Sequence, residues 1–267
     1  MNLNEWQASG AFFDYKTHRI FYHANKNSNQ TLLVLHGFPT SSHDYHKIWD
    51  ALGENFSLLA FDLIGYGFSD KPTDFDYTTF HQADVLQALV EYLKIENLHI
   101  LAHDYGNTIT LELLARAGEN RLNFSIETVC FLNGALFPET HRPVLAQKIL
   151  ASPLGFIFGR LISDAAFKKS LASIFGKNTQ PTESELNDFL RVFKFNDGRR
   201  IAHKLIRYMM ERRKFQARWL DALQKMQQPF RFINGLEDKV SGAHLVERFH
   251  GLVPHQTDII ELEGVGH

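Results

Sequence analysis

With 267 residues, 44% of them hydrophobic, the chain has room for one large domain with an insertion and enough apolar side chains for a substantial core. Its 28 Lys and Arg against 30 Asp and Glu leave a net charge of −2, which gives no reason to expect a nucleic acid or an anionic surface as partner. The single cysteine, Cys130, excludes an internal disulfide, and its apolar neighbours (TVCFL) predict a buried structural thiol in a reducing compartment.

The start, MNLNEWQASGAFFDY, lacks the basic and apolar segments of a signal peptide. No run approaches the roughly 18 apolar residues of a membrane span, so the expectation is a cytoplasmic protein without one. Residues 11 to 23 alternate around a turn at Tyr15 to Thr17 and predict a hairpin. TLLVLHG, 31 to 37, is a continuous apolar run of the kind a fully buried parallel strand shows. Its loop, HGFPTSS, offers Ser41 or Ser42 as cap of a helix through Trp49 and Leu52. A strand over 56 to 63 leads into the glycine-bearing loop DLIGYGFSDKP, and helical spacing returns from Thr78 to Leu93.

The stretch LHILAHDYGNT, 98 to 108, switches from a strand pattern to helical spacing within four residues. At the tip stands Asp104, with Ala102 and Gly106 two residues to either side, where small side chains let neighbouring backbone hold a strained turn. A helix over 106 to 117 and a strand over 126 to 134 follow. From Pro138 to Trp219 the alternation gives way to helical patterns, with a start signal at Pro181 to Glu185. Strands resume at 229 to 235 and 257 to 262, separated by the loop LEDKVSG and a helix through Leu245 and Phe249. The reading is an α/β fold: a mostly parallel, doubly wound sheet (core, 1–137 and 220–267) with an inserted helical cap (138–219). The basic residues Arg199, Arg200, Arg212, Arg213 and Lys214 read as a solvated cap face.

HGFP, DLIGYG and Asp104 all fall after strand ends, where such sheets build their sites. An elbow carboxylate either caps the following helix or acts as a nucleophile. As a nucleophile it gains nothing by attacking an ester or amide, but it displaces leaving groups from saturated carbon, forming an ester that water then hydrolyses. Asp238, with Glu237 beside it as a rival, and His267, after a Gly-x-Gly turn, follow in the order nucleophile, acid, histidine. His267 would activate water, Asp238 would orient it, and the Phe38 and Tyr105 amides would face the ester oxyanion. His36 either lines the pocket or hydrogen-bonds within its loop. No His/Cys spacing for a metal, no P-loop and no dinucleotide fingerprint occurs, so no cofactor or metal is expected.

HGFPTSS, DLIGYGFSDKP, AHDYG, the GLED loop and the terminal GVGH together resemble the epoxide hydrolase and haloalkane dehalogenase branch of the α/β-hydrolases. NGALFPETHRPVLAQKIL and RRKFQARW extend the likeness to mesoderm-specific transcript-like proteins. The resemblance implies an Asp104–His267–Asp238 triad, no cofactor, and a small apolar substrate, most simply an epoxide. It also implies that cap tyrosines donate a proton to the opening epoxide, for which the cap offers only Tyr208. The alternatives are carbon–halogen cleavage, against which stands Tyr105 where dehalogenases usually have Trp, and a non-catalytic protein that binds a small ligand. Members of this branch continue with a helix beyond the histidine, so the resemblance implies that this C-terminal helix is missing here. Oligomeric state is not legible.

Overall fold

The computed structural model describes residues 1–134 and 136–267. The chain opens with helix α1 (Leu3–Ser9), started by Asn2, whose side chain accepts from the Asn4 and Glu5 amides. Strands β1 (Ala11–Tyr15) and β2 (His18–Ala24) form the expected hairpin, with Lys16 at positive φ in the turn. Then come β3 (Thr31–Leu35), α2 (Trp49–Gly53), β4 (Ser57–Phe61), α3 (Thr79–Tyr92), β5 (Asn97–Ala102), α4 (Tyr105–Gly118) and β6 (Ser125–Phe131). Among the described residues, seven α-helices and a 3₁₀ helix (Phe195–Arg200) separate β6 from the next strand: α5 (Leu145–Leu150), α6 (Gly155–Leu161), α7 (Asp164–Ala172), α8 (Glu183–Lys194), α9 (Ala202–Leu205), α10 (Tyr208–Lys214) and α11 (Gln216–Lys225). The chain finishes through β7 (Phe230–Gly235), α12 (Ala243–Leu252) and β8 (Ile259–Leu262).

All eight strands lie in one sheet of order β1-β2-β4-β3-β5-β6-β7-β8. It is parallel from β4 to β8, with the antiparallel hairpin at one edge. Every residue of β4 is buried, as a central strand covered on both faces requires. The register sets the site. Leu35 pairs with Ala102 and Ala102 with Phe131, so the loops after β3, β5 and β6 leave the sheet side by side. Gly235 likewise pairs with Leu262, which brings the loops after β7 and β8 together.

Helices α5 to α11 form the inserted cap. Helix α8 begins at the anticipated signal: Thr182 accepts from the Glu185 amide, and the Glu185 carboxylate accepts from the Thr182 amide. Helix α11 runs on past Trp219, because Trp219 and Leu223 continue one buried stripe. Among the described residues no helix is long and apolar enough to cross a membrane.

Three expectations need correction. The region after HGFPTSS is a 3₁₀ turn (Ser42–Tyr45) and the short α2, and neither serine side chain caps a helix. Ser42 is committed elsewhere: its amide donates to Asp62 Oδ1 at 2.7 Å and its hydroxyl accepts from Trp6 Nε1 at 3.2 Å. Cys130 is half-buried rather than sealed in the core, though burial still pushes its thiol up to about 11. Arg212 is not solvated; it is buried inside the site described next.

Candidate active site

Asp104 occupies the tip between β5 and α4 with φ 46° and ψ −107°, a strained conformation for a residue with a Cβ. The elbow is possible because its neighbours are small. A Cβ on Gly106 would stand 2.6 Å from the Leu35 carbonyl oxygen, and one on Gly134 would stand 2.4 Å from Asp104 Cα. Both obstacles are backbone, so Gly134→Ala must displace the elbow. We expect it to cost about 1–3 kcal/mol by overpacking, read as a lower melting temperature together with loss of activity.

The Asp104 side chain does not cap α4, although the residue sits at the N-cap position. Its Oδ2 accepts from the Phe38 amide at 2.9 Å, and its Oδ1 lies 3.6 Å from Arg212 Nη2. Burial pushes this carboxyl up, but the Arg212 guanidinium and His267 outweigh it and hold Asp104 below the usual range, in its ionised form. Among the described residues the hydrogen bond to Oδ2 comes from the Phe38 amide. Tyr105, the next residue along, contributes its ring, which stacks on Tyr208 at 4.5 Å.

His267 Nδ1 and Asp238 Oδ2 are 2.8 Å apart, so Asp238 and not Glu237 is the acid that meets the histidine. Asp238 is fully engaged: the Val240 amide donates at 2.7 Å, Ser241 Oγ at 2.5 Å and Asn133 Nδ2 at 3.0 Å. The charge and hydrogen bond of His267 first, then the Ser241 and Val240 donors, overcome burial and hold its carboxyl well below the ordinary value. The His267 amide donates to the Ile174 carbonyl at 3.0 Å, which ties the histidine to the end of α7. Burial disfavours a charged imidazole, yet Asp238 and Asp104 raise His267 to about 9. The stability this linkage gives is complete below the ordinary histidine value of 6.5 and is lost as pH rises through about 9. Unfolding free energy should therefore fall across that interval, and His267→Gln should flatten the fall in a denaturant series. An unchanged slope in the variant counts against the pairing.

His36 has no ring nitrogen left for a substrate. Its Nε2 accepts from the Leu63 amide at 3.1 Å, so Nδ1 carries the proton and donates to the Gly37 carbonyl at 2.8 Å. Of its two readings, the loop hydrogen bond is the one seen. Tyr208, by contrast, is fully buried with its hydroxyl unpartnered among the described residues, between the ring of Tyr105 and, at 6.0 Å, that of Phe38.

Several groups in the site were not picked out from the sequence. Arg212 donates from Nε to Thr108 Oγ1 at 2.7 Å and from Nη2 to the Asp104 carbonyl at 3.1 Å, while its buried Nη1 has no partner among the described residues. Its Cζ lies 4.7 Å from the centre of the Tyr208 ring. Residues 208 and 212 share a helical face, so the i,i+4 spacing from a buried tyrosine was the available signal. Tyr66, in the DLIGYG loop, is a second buried hydroxyl without a partner, and it feels the Asp104 charge. Both nitrogens of His141 are likewise unpartnered; burial first, then Arg212, hold it down at about 4. His103 lies beside His267, ring centres 4.7 Å apart, and burial with that neighbour keeps it neutral, also at about 4.

Phe38 walls two cavities. One of about 470 Å³ reaches His103 and His267 and runs between the 3₁₀ turn and helices α7 and α8. The other, about 60 Å³ and apolar, lies between Phe38, Pro39 and the inner sides of α5 to α7. Among the described residues no cluster of His, Cys, Asp and Glu is arranged to hold a metal ion.

The family model described as alpha/beta hydrolase fold matches residues 30–267. The mesoderm-specific transcript protein of Mus musculus is 39% identical over 275 residues, covering 99% of this chain and 82% of that protein. A haloalkane dehalogenase of Mesorhizobium japonicum is 38% identical over 98 residues, 37% of this chain and 31% of that protein. Among solved structures, the haloalkane dehalogenase DbeA from Bradyrhizobium elkani superposes with a TM-score of 0.79 at 24% identity, covering 97% of this chain and 91% of the other. The chain belongs to the α/β-hydrolase fold family, as a hydrolase related to the mesoderm-specific transcript proteins.

Proposed function

We propose that the chain displaces a leaving group from saturated carbon through an ester on Asp104, within a core of residues 1–137 and 220–267 covered by a cap of residues 138–219. The observation that carries this reading is the division of labour within one carboxylate. Oδ2 is held by the Phe38 amide, while Oδ1 lies toward the Arg212 guanidinium and accepts no hydrogen bond among the described residues. Oδ1 attacks carbon, and the electron pair of the broken bond leaves with the departing group. The charge Asp104 gives up then resides on that group, and the free Arg212 Nη1 is a donor beside it.

Esterification removes the Asp104 charge that helps raise His267, so the imidazole gives up its proton more readily and its neutral form is there to accept one from water. His267 Nε2 takes a proton from water, whose oxygen adds to the Asp104 carbonyl carbon. The Phe38 amide stabilises the resulting oxyanion on Oδ2, and collapse expels the alcohol with the proton returned by His267.

For the leaving group, the relationship to a dehalogenase over 98 residues supports halide. The two unpartnered hydroxyls support an epoxide oxygen as a second reading, with Tyr208 from the cap and Tyr66 from the core as the pair of proton donors. The two chemistries differ in one requirement: an opening epoxide needs a proton and a departing halide does not. Turnover of haloalkane and epoxide panels by wild type, Tyr208→Phe and Tyr66→Phe therefore separates them. Halide cleavage should survive either change within about threefold, whereas epoxide opening should fall by on the order of a hundredfold. Absence of turnover on both panels counts against this function.

A further inference from the structure

Helices α5 and α6 leave an apolar face uncovered. Leu145, Leu154, Phe156, Ile157 and Leu161 are 71, 64, 47, 43 and 75% exposed. Five of the 12 large hydrophobics exposed among the described residues thus fall within residues 145–161, a patch rather than scatter. Along α6 and its two cap residues, Leu154, Ile157 and Leu161 recur at helical spacing on the outer side, while Gly155, Gly159 and Ile162 are buried on the inner.

The charge along the segment that carries this face has one sign. Between Glu139 and Asp164 no acidic residue stands, whereas Arg142, Lys148 and Arg160 do, all exposed, in a chain whose net charge is −2. Long basic side chains beside leucine and phenylalanine suit the boundary of a bilayer: the rings and branched chains enter the acyl region and the cations remain with the headgroups. A second copy of this chain fits less well, because a two-fold contact sets the three cations against their own counterparts.

We propose that the outer face of α5 and α6 docks on an anionic lipid surface. The inner face of the same helices gives the docking a use. Ala146, Leu150, Gly159 and Ile162 line the 60 Å³ apolar cavity whose opposite wall is Phe38, the residue whose amide holds Asp104. An apolar substrate dissolved in the bilayer thus has only the thickness of these helices to cross. That route rests on the chemistry proposed at Asp104, whereas the docking does not.

Flotation of the full chain with vesicles tests the docking by itself. Wild type should float with phosphatidylcholine vesicles containing phosphatidylglycerol, and less with phosphatidylcholine alone. Combined Leu154→Ser, Ile157→Ser and Leu161→Ser should lower binding to both by about tenfold or more. Lys148→Glu with Arg160→Glu should lower binding to the anionic vesicles by about tenfold and leave the rest unchanged. Melting temperatures close to wild type would show that the variants are folded, since all five side chains are exposed. The proposal is overturned if wild type floats with neither vesicle, if the triple variant floats like wild type, or if sedimentation reveals a dimer that the triple variant dissociates.

Discussion

Replacing His267 by Gln is expected to stop turnover after the first step and leave the alkyl ester on Asp104. Glutamine keeps a polar side chain near Asp238 but cannot accept the water proton, so the second step loses its base while the first keeps its nucleophile. Turnover should fall on the order of 10⁴-fold. Intact mass should then rise by the alkyl group of whichever panel compound reacts, and peptide mapping should place it at Asp104. The same variant with Asp104→Asn must show no adduct. A non-catalytic binding protein gives no adduct in any background.

The second large effect is expected at Arg212. Arg212→Leu removes the cation that keeps Asp104 ionised in a buried site and the donor nearest the charge that leaves it. Ester formation should slow by roughly a hundredfold to a thousandfold, as for loss of one donor at a developing anion. The acid limb of the pH–rate profile should also move upward, because Asp104 loses its largest charge partner. A purely structural role for Arg212 lowers the melting temperature without moving that limb. Arg212→Lys retains the charge but not the fork that spans Thr108 and the Asp104 carbonyl, so it should restore the limb more fully than the rate.

The parallel strands were legible because β3 and β4 are buried on both faces and so read as continuous apolar runs. The elbow was legible because strand and helix periodicities meet at a single turn. Asp238 and His267 could be found from their distance beyond a strand end, and register then brings them together. Helix α1 escaped notice since seven residues give too little periodicity, although Trp6 is fully buried and stacks on His23 at 4.3 Å.

The polar half of the site was harder to see. Arg212 stands among five basic residues that composition alone cannot tell apart, and only burial separates it from Arg213 and Lys214. Tyr66 read as part of a glycine-rich turn. Nothing in the spacing of DLIGYG indicates that its hydroxyl lies within the field of a carboxylate from a different loop. For His36 the sequence left two readings open, and a histidine at a strand end near Asp104 serves as a brace between two backbone groups.

A single turnover in water enriched in heavy oxygen, with enzyme in excess over a haloalkane or epoxide, tests the carboxylate mechanism most directly. If Asp104 is the nucleophile, water adds to its carboxyl carbon, so the heavy atom appears in the peptide containing Asp104 and the first product molecule keeps an ordinary oxygen from the enzyme. Heavy oxygen in that first product, with none in the Asp104 peptide, would mean that water attacks the substrate directly and would contradict the account.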